Sequence, residues 1–155
     1  MSVNTTSSRV YASILRAAHP AYTGPRLENV SSRGDMKILI VEDNPTIRRL
    51  IRSIVTDLAE EIDECSDGSE ALASYRERRP DWVLMDIKMK ELDGLAAARQ
   101  IKAAYPDANI VIVTNFDEAD LREAARAAGA KAYVVKEDLF VLREILSGYA
   151  GKQSA

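Results

Sequence analysis

The chain has 155 residues, a formal net charge of −3 and a pI of about 5.3. Hydrophobic residues make up 46% and charged residues 29% of it, which is typical of a soluble globular protein with its own core. The acidic balance argues against non-specific binding to nucleic acid, and no apolar run is long enough to cross a bilayer.

The N-terminal stretch, residues 1–35, differs in composition from the rest of the chain. It is rich in Ser, Thr and Asn and is interrupted by Pro and Gly. We predict a flexible N-terminal extension here, a globular domain over residues 36–150 and a C-terminal tail over residues 151–155; a start of translation at Met36 is an alternative that the sequence leaves open. The stretch lacks the layout of a secretory signal, and the single cysteine, Cys65, excludes an internal disulfide, so we expect a cytoplasmic protein.

From Met36 onward, predicted strands and helices alternate. The continuous apolar run KILIV, residues 37–41, predicts a strand that is covered on both faces. Asn44 is a suitable N-cap and Pro45 suits the first turn of the helix that follows. The predicted inner face of this helix consists of Ile47, Leu50, Ile51, Ile54, Val55 and Leu58.

The remaining sequence repeats this alternation. Further strands are predicted over residues 61–65, 82–85, 109–114 and 132–135. Further helices are predicted over residues 67–79, 93–105, 117–129 and 138–150. Strict alternation indicates a doubly wound parallel sheet with helices on both faces, and we expect the flavodoxin-like strand order 2-1-3-4-5.

In such a sheet, ligands bind outside the carboxyl ends of the strands, near the switch between strands 1 and 3. Glu42 and Asp43 follow the first strand and Asp86 follows the third. Because adjacent strands lie about 5 Å apart, the three carboxylates are expected to face one another. They would raise one another's pKa unless a cation joined them, and oxygen ligands of this kind favour Mg²⁺.

Two possible hydrogen-bond donors follow the fourth and fifth strands. Thr114 ends the fourth strand and Lys136 comes directly after the fifth. A hydroxyl and an ammonium group both bind phosphoryl oxygens, and with Mg²⁺ opposite they neutralise charge on a transferring phosphoryl group. Asp86 lies between the two sets and is therefore the predicted nucleophile, which would form an aspartyl phosphate.

In this order and after these strands, the residues resemble the receiver domain of two-component response regulators. The likeness covers the chain from Met36 to about Gly148. It rests on Glu42-Asp43 after KILIV, Asp86 in WVLMDIKMKELDG, Thr114 in IVIVTN, and Tyr133 with Lys136 in AKAYVVKED.

The resemblance implies a role for each of these residues. Asp86 would be the phospho-acceptor, and Lys136 would contact the phosphoryl group. Thr114 and Tyr133 would be the switch pair that responds to phosphorylation. The metal ligands would be Glu42, Asp43, Asp86 and the backbone carbonyl of Lys88.

The sequence also departs from the family pattern near the predicted site. Lys90 stands where receivers usually carry Pro. Lys88 stands close to the acceptor, where its ammonium could pair with the phosphoryl group or with Glu42, or hinder the attacking water. Asn115 and Phe116 are bulkier than the small residue that usually follows the threonine, and they would narrow the entry for small phosphodonors. Glu137 replaces a Pro that often has a cis bond, so we predict a trans bond here.

The chain ends soon after the last helix, and we therefore expect a single-domain receiver. Its phosphoryl donor would be a histidine kinase or a phosphotransfer protein, and it would signal by protein contact, without direct DNA or membrane binding. Phe140 and Val141 point away from the predicted core and suggest a homodimer through helix 4, strand 5 and helix 5, with partial burial as the alternative.

Two other functions remain open from sequence. One is a phosphorylation-independent scaffold with a receiver fold. The other is an Asp-nucleophile phosphohydrolase of the haloacid dehalogenase type, which normally has a second Asp two residues after the nucleophile. Lys88 occupies that position, which argues against the phosphohydrolase.

Overall fold

The computed structural model describes residues 36–153, with side chains described as far as residue 148. The predicted extension over residues 1–35 lies outside the described residues. Within the described part of the chain, no helix is long and apolar enough to cross a membrane.

The strands form one parallel sheet in the order β2-β1-β3-β4-β5, so the predicted order is confirmed. Their bounds are β1 Met36–Val41, β2 Ala59–Cys65, β3 Trp82–Met85, β4 Ile110–Thr114 and β5 Ala132–Val135. Since β1 pairs with both β2 and β3, the carboxyl ends of β1 and β3 lie side by side.

The helices are α1 Pro45–Val55, α2 Ala71–Arg78, α3 Gly94–Ala104, α4 Ala119–Ala127 and α5 Val141–Gln153. Short 3₁₀ turns, Gly68–Glu70 and Lys136–Asp138, precede α2 and α5. Helix α2 therefore begins at Ala71 and not at the predicted residue 67. The side chain of Asp67 caps the 3₁₀ turn instead, by accepting a hydrogen bond from Ser69 N. Helix α5 reaches Gln153, three residues beyond the domain boundary predicted at residue 150.

Alternate residues of each strand point to opposite faces of the sheet and build separate cores. Leu39 and Val41 pack in a cluster with residues of α2, α3 and α4. Ile38 and Ile40 pack in the other cluster with residues of α1 and α5. These apolar residues of β1 are at most 1% exposed, which is why its sequence is a continuous apolar run.

Helix α1 begins as predicted, because Asn44 accepts hydrogen bonds from Thr46 N and Ile47 N. The prediction that Leu50 lies on the inner face of α1 is wrong, because Leu50 is 46% exposed, whereas the adjacent Ile51 is buried. At about 100° per residue, Leu50 lies at the border of the apolar stripe and misses the sheet.

Phe140 and Val141, at the beginning of the last helical segment, differ in burial. Phe140 is 40% exposed, whereas Val141 is partly buried against the core that α1 and α5 share. Farther along, Leu142 and Leu146 are fully buried. The guanidinium of Arg143 contacts the carboxylate of Asp57, just beyond α1, and so joins the two helices on this face.

Candidate functional site

Three acidic side chains meet at the carboxyl edge of the sheet. Glu42 and Asp43 follow β1, Asp86 follows β3, and each offers a carboxylate oxygen within 4.8 Å of the others. Glu42 and Asp86 are buried, and Asp43 is partly buried. The structure thus brings together the three acids that the sequence placed at neighbouring strand ends.

Lys136 lies against the same cluster. Its Nζ is 2.7 Å from Oε2 of Glu42 and 3.2 Å from Oδ2 of Asp86, and its side chain is only 8% exposed. The single ammonium therefore counters two of the three carboxylates at a place where water screens little.

A backbone amide of its own loop and a side chain of α1 hold Glu42 in place. The Asn44 amide donates to Oε1 of Glu42 at 3.0 Å, and Arg48 donates to its carbonyl oxygen at 2.7 Å. The other carboxylate oxygen, Oε2, is buried, and its one polar contact among the described residues is the charged one with the Lys136 ammonium at 2.7 Å. A carboxylate oxygen has more than one lone pair, so Oε2 can bind a cation in addition to this ammonium.

Asp86 is oriented by its neighbours on the chain. Its backbone amide donates to Val41 O at 2.9 Å, and its Oδ1 accepts from Ile87 N at 2.8 Å. Gly94 packs so closely that a Cβ there would lie 1.8 Å from the Asp86 carbonyl oxygen. Only glycine permits this approach, which begins α3 directly beside the acid.

Burial raises the pKa of the Asp86 carboxyl above its ordinary value; the charge of Asp43 adds to the rise, while Lys136 and the Ile87 amide oppose it. Burial also raises the pKa of Glu42, against hydrogen bonds from Lys136 and the Asn44 amide. The protein thus holds two carboxylates where their negative charge is costly, which is typical of a functional site.

The donor set fits a divalent cation that prefers oxygen. Three carboxylate oxygens already converge within 4.8 Å, and only one ammonium, that of Lys136, is paired with this cluster among the described residues. Hard oxygen donors with open positions for water suit Mg²⁺ better than a metal that prefers nitrogen or sulfur.

Thr114 and Tyr133 are linked through the backbone of Phe116. Thr114 is fully buried at the end of β4, and its hydroxyl oxygen accepts from Phe116 N at 3.4 Å. The Tyr133 hydroxyl donates to the Phe116 carbonyl at 2.6 Å, and the guanidinium of Arg122 lies 4.6 Å from the centre of the Tyr133 ring. Thr114 and Asp86 lie at the carboxyl ends of the neighbouring strands β4 and β3.

The side chain of Lys88 turns away from the acids. Its Nζ lies 4.1 Å from the centre of the Phe116 ring, so it joins the loop after β3 to the loop after β4. The ion pair between Lys88 and Glu42 that the sequence left open is therefore not formed in the described structure, where Lys136 pairs with Glu42 instead. The bond before Glu137 is trans, as predicted, since the described residues include no cis peptide bond.

Sequence reasoning missed Asp67. The pattern places it only at the start of a helix, but its carboxylate reaches Glu91 N and Leu92 N in the loop after Asp86. An Asp-Gly pair directly after an edge strand was the available signal, because this pair often marks a tight turn close to other backbone.

Comparison with known proteins identifies the domain family. A family model described as the response regulator receiver domain matches residues 38–147. That range includes every predicted site residue, from Glu42 to Lys136.

Two curated relatives illustrate the range of lengths. The uncharacterized transcriptional regulatory protein YhcZ of Bacillus subtilis is 36% identical over 119 residues, which cover 73% of this chain and 56% of that protein. The chemotaxis protein CheY of Halobacterium salinarum is 36% identical over 100 residues, which cover 64% of this chain and 83% of that protein. The chain spans between 29% and 56% of the length of YhcZ and four further relatives.

A solved structure has a matching fold. The chain is 25% identical to a chain of the CheX-CheY-BeF3-Mg+2 complex from Borrelia burgdorferi, with a TM-score of 0.64. The match covers 74% of this chain and 89% of that chain.

Proposed function

Because the chain belongs to the response regulator receiver domain family of two-component signalling, we propose that Asp86 accepts a phosphoryl group from a histidine kinase or a phosphotransfer protein. The phosphorylated domain then signals through contacts with a downstream protein. We place this exchange in the cytoplasm.

The acidic cluster with its lysine carries this proposal. Glu42, Asp43 and Asp86 converge within 4.8 Å, and Lys136 lies between two of them. Such crowding lowers stability unless a ligand compensates for it, so the arrangement is explained by a ligand that is itself highly charged. A phosphoryl group together with a divalent cation is a ligand of this kind.

In the proposed reaction, a carboxylate oxygen of Asp86 attacks the phosphorus of the donor. A new P–O bond forms, the P–N bond of the phosphohistidine breaks, and the leaving imidazole nitrogen keeps the electron pair. Ile87 N and Lys136 orient the Asp86 carboxylate by contacts to its two oxygens. Lys136 is also placed to neutralise charge on the transferring group.

Mg²⁺ would be held by the carboxylates of Glu42, Asp43 and Asp86 and by the backbone carbonyl of Lys88. When bound, it supplies positive charge for the phosphoryl oxygens. The similar Borrelia burgdorferi complex contains Mg+2, which supports this choice of metal. The convergence of three carboxylate oxygens within 4.8 Å supports it from this chain's own structure.

The backbone of Phe116 provides a route from the site to the surface. Thr114 accepts from Phe116 N, and Tyr133 donates to the Phe116 carbonyl. We propose that Thr114 turns toward the phosphoryl group on Asp86, so that this segment shifts and changes the setting of the Tyr133 ring. The surface formed by α4, β5 and α5 then changes for a partner.

The phosphohydrolase alternative has little support. Such an enzyme needs an acid two residues after the nucleophile to protonate the leaving group. Lys88 holds that position and packs on the ring of Phe116 instead. The scaffold alternative differs from the proposed function in one measurable property, since a scaffold takes up no phosphoryl group.

Intact-mass measurement tests the proposed function directly. The chain is incubated with Mg²⁺ and either acetyl phosphate or a cognate kinase, and we expect one added phosphoryl mass. Asp86→Ala should add none, because the nucleophile is gone. Asp93→Asn is the matched control, since Asp93 is an acid seven positions along the chain that only caps α3.

Three other outcomes would contradict the proposed function. Uptake by Asp86→Ala would show that a different residue is the acceptor. No uptake by the wild type from any donor would favour the phosphorylation-independent scaffold. Turnover of a generic phosphomonoester that is lost in Asp86→Asn would revive the phosphohydrolase.

A further inference from the structure

Asp67 lies outside the acidic cluster, at the turn that follows β2, and is only 9% exposed. Its Oδ1 accepts from Ser69 N at 2.9 Å and from Leu92 N at 3.1 Å, and its Oδ2 accepts from Glu91 N at 3.0 Å. One carboxylate therefore joins the turn after β2 to a loop 24 to 25 residues farther along the chain.

Backbone amides stabilise the negative charge of the buried Asp67 carboxylate. Burial acts to raise its pKa, but hydrogen bonds from the amides of Glu91, Ser69 and Leu92 lower that pKa to about 2. The carboxylate consequently stays charged and keeps accepting these bonds throughout the physiological pH range.

Gly68 brings the turn and the loop into direct contact. A Cβ at this position would lie 2.3 Å from the Leu92 carbonyl oxygen and 3.2 Å from Cβ of Ala97. Asp67 thus accepts hydrogen bonds from two amides of the loop. Gly68 has no side chain and leaves just enough room for the Leu92 carbonyl.

The loop held in this way is the one that follows the proposed acceptor. A second attachment closes the base of this loop: Gly94 N donates to Ile87 O at 2.8 Å, next to Asp86. Between the two attachments lies Lys88, whose backbone carbonyl is a proposed ligand for Mg²⁺. The position of that carbonyl depends on both attachments of the loop.

We infer that Asp67 is a positioning residue for the metal site: it holds the loop after Asp86 so that the carbonyl of Lys88 is in place for Mg²⁺. This inference rests on the proposed function, because it assumes that the acidic cluster binds the cation. Asp67 acts through the loop and contacts neither the cation nor the phosphoryl group.

The experiment measures the dissociation constant of Mg²⁺ by isothermal titration calorimetry on the full chain. Asp67→Asn keeps the shape but replaces one acceptor oxygen with a donor, so the loop amides lose part of their attachment. We expect the dissociation constant to rise roughly tenfold, as is usual for residues that orient a metal ligand. The phosphorylation rate should recover at saturating Mg²⁺, since Asp67 lies outside the acidic cluster.

A second variant disturbs the same contact in another way. Gly68→Ala keeps Asp67 but places a methyl group against the Leu92 carbonyl, and it should weaken Mg²⁺ binding in the same direction. The matched control is Asp93→Asn, which removes the same charge from the same loop but retains a good N-cap for α3. We expect Mg²⁺ binding by this control to stay within twofold of the wild type.

Amide hydrogen exchange provides a readout that does not depend on the metal. The amides of Glu91 and Leu92 should exchange faster in Asp67→Asn than in the wild type. Folded variants that bind Mg²⁺ as the wild type does would overturn this inference alone, even if these amides loosen. A wild type that binds no Mg²⁺ would overturn the proposed function, and this inference with it.

Discussion

Asp86 is a buried carboxylic acid whose environment favours its neutral form. Burial and the nearby charge of Asp43 raise its pKa, and the ammonium of Lys136 offsets this only in part. Between the ordinary pKa of 3.8 and the raised value, the folded protein binds more protons at Asp86 than the unfolded chain does. The contribution of Asp86 to stability is therefore fully present below the ordinary pKa and is lost as the pH rises through the folded pKa.

This sign gives a prediction for Asp86→Asn without Mg²⁺. The amide cannot ionise, so the variant should lose less free energy of unfolding than the wild type does as the pH rises from 4 to 7. We expect the variant to be more stable at pH 7 by about 1 kcal/mol, the usual scale for a single substitution. Urea unfolding at a series of pH values without Mg²⁺ measures the difference.

A residual slope should remain in the variant because the pKa of Glu42 is raised in the same direction. Asp107→Asn is the control, since Asp107 is an exposed acid in the loop between α3 and β4. Equal slopes for Asp86→Asn and the wild type would contradict the assignment of Asp86 as a destabilising buried charge.

At the scale of elements, two loops border the site and meet above it. The loop after β3 carries Lys88, the loop after β4 carries Phe116, and the ammonium lies 4.1 Å from the centre of the ring. The backbone of Phe116 also contacts Thr114 and Tyr133. The pair therefore links the edge proposed to receive the phosphoryl group to the residues proposed to respond to it.

We predict that Lys88→Ala shortens the lifetime of the aspartyl phosphate, because the loops no longer hold each other against entering water. A cation–π contact near the surface contributes about 0.5–1 kcal/mol. If all of it is lost on opening, the rate of dephosphorylation should rise roughly two- to fivefold. The decay of the phosphorylated mass after removal of the donor measures this rate.

Lys90→Ala is the matched control for that measurement. Lys90 is an exposed lysine of the same loop, whereas the ammonium that lies over the Phe116 ring belongs to Lys88. Equal lifetimes for the Lys88 and Lys90 variants would show that the loop contact does not protect the phosphoryl group.

On the scale of the whole described domain, the proposed phosphorylation site and the proposed interaction surface lie at different parts of the sheet. The site lies at the carboxyl edge of β1 and β3, whereas α5 and the end of the sheet at β5 form a different surface. Phe140, 40% exposed at the start of α5, is one of the two large hydrophobic side chains exposed in the described part of the chain. This position supports the proposed interaction surface of α4, β5 and α5.

We predict that a phosphoryl mimic increases self-association through this surface. Light scattering after gel filtration, with and without beryllofluoride and Mg²⁺, should show a larger dimer fraction in the activated state. Phe140→Ser should reduce that fraction, whereas Leu50→Ser, at the other exposed hydrophobic side chain, should leave it unchanged. A strict monomer in both states would rule out the homodimer and leave a different protein as the partner.

Much of the site follows from local sequence. The alternation of strands and helices indicates a parallel sheet, and the acids Glu42, Asp43 and Asp86 directly follow apolar strands that are recognisable one at a time. Once the strands are in order, their carboxyl ends must share one edge. For this reason the amino-acid sequence is sufficient to predict that the three acids meet. The bounds of β3 and β5 were also predicted correctly, because each strand is a distinct apolar run.

Other features depend on contacts between distant parts of the chain. Leu50 lies at the border of an apolar stripe, and only the position of α1 on the sheet decides that it is exposed. Lys88 had several acceptable partners, and the loop after β4 selects the ring of Phe116. Asp67 reaches amides 24 to 25 residues away, and the local Asp-Gly pair indicates the turn but not this distant partner. The sequence alone determined the strands and helices and their order along the chain, because these follow from periodicity. Tertiary packing decided which neighbour each side chain meets.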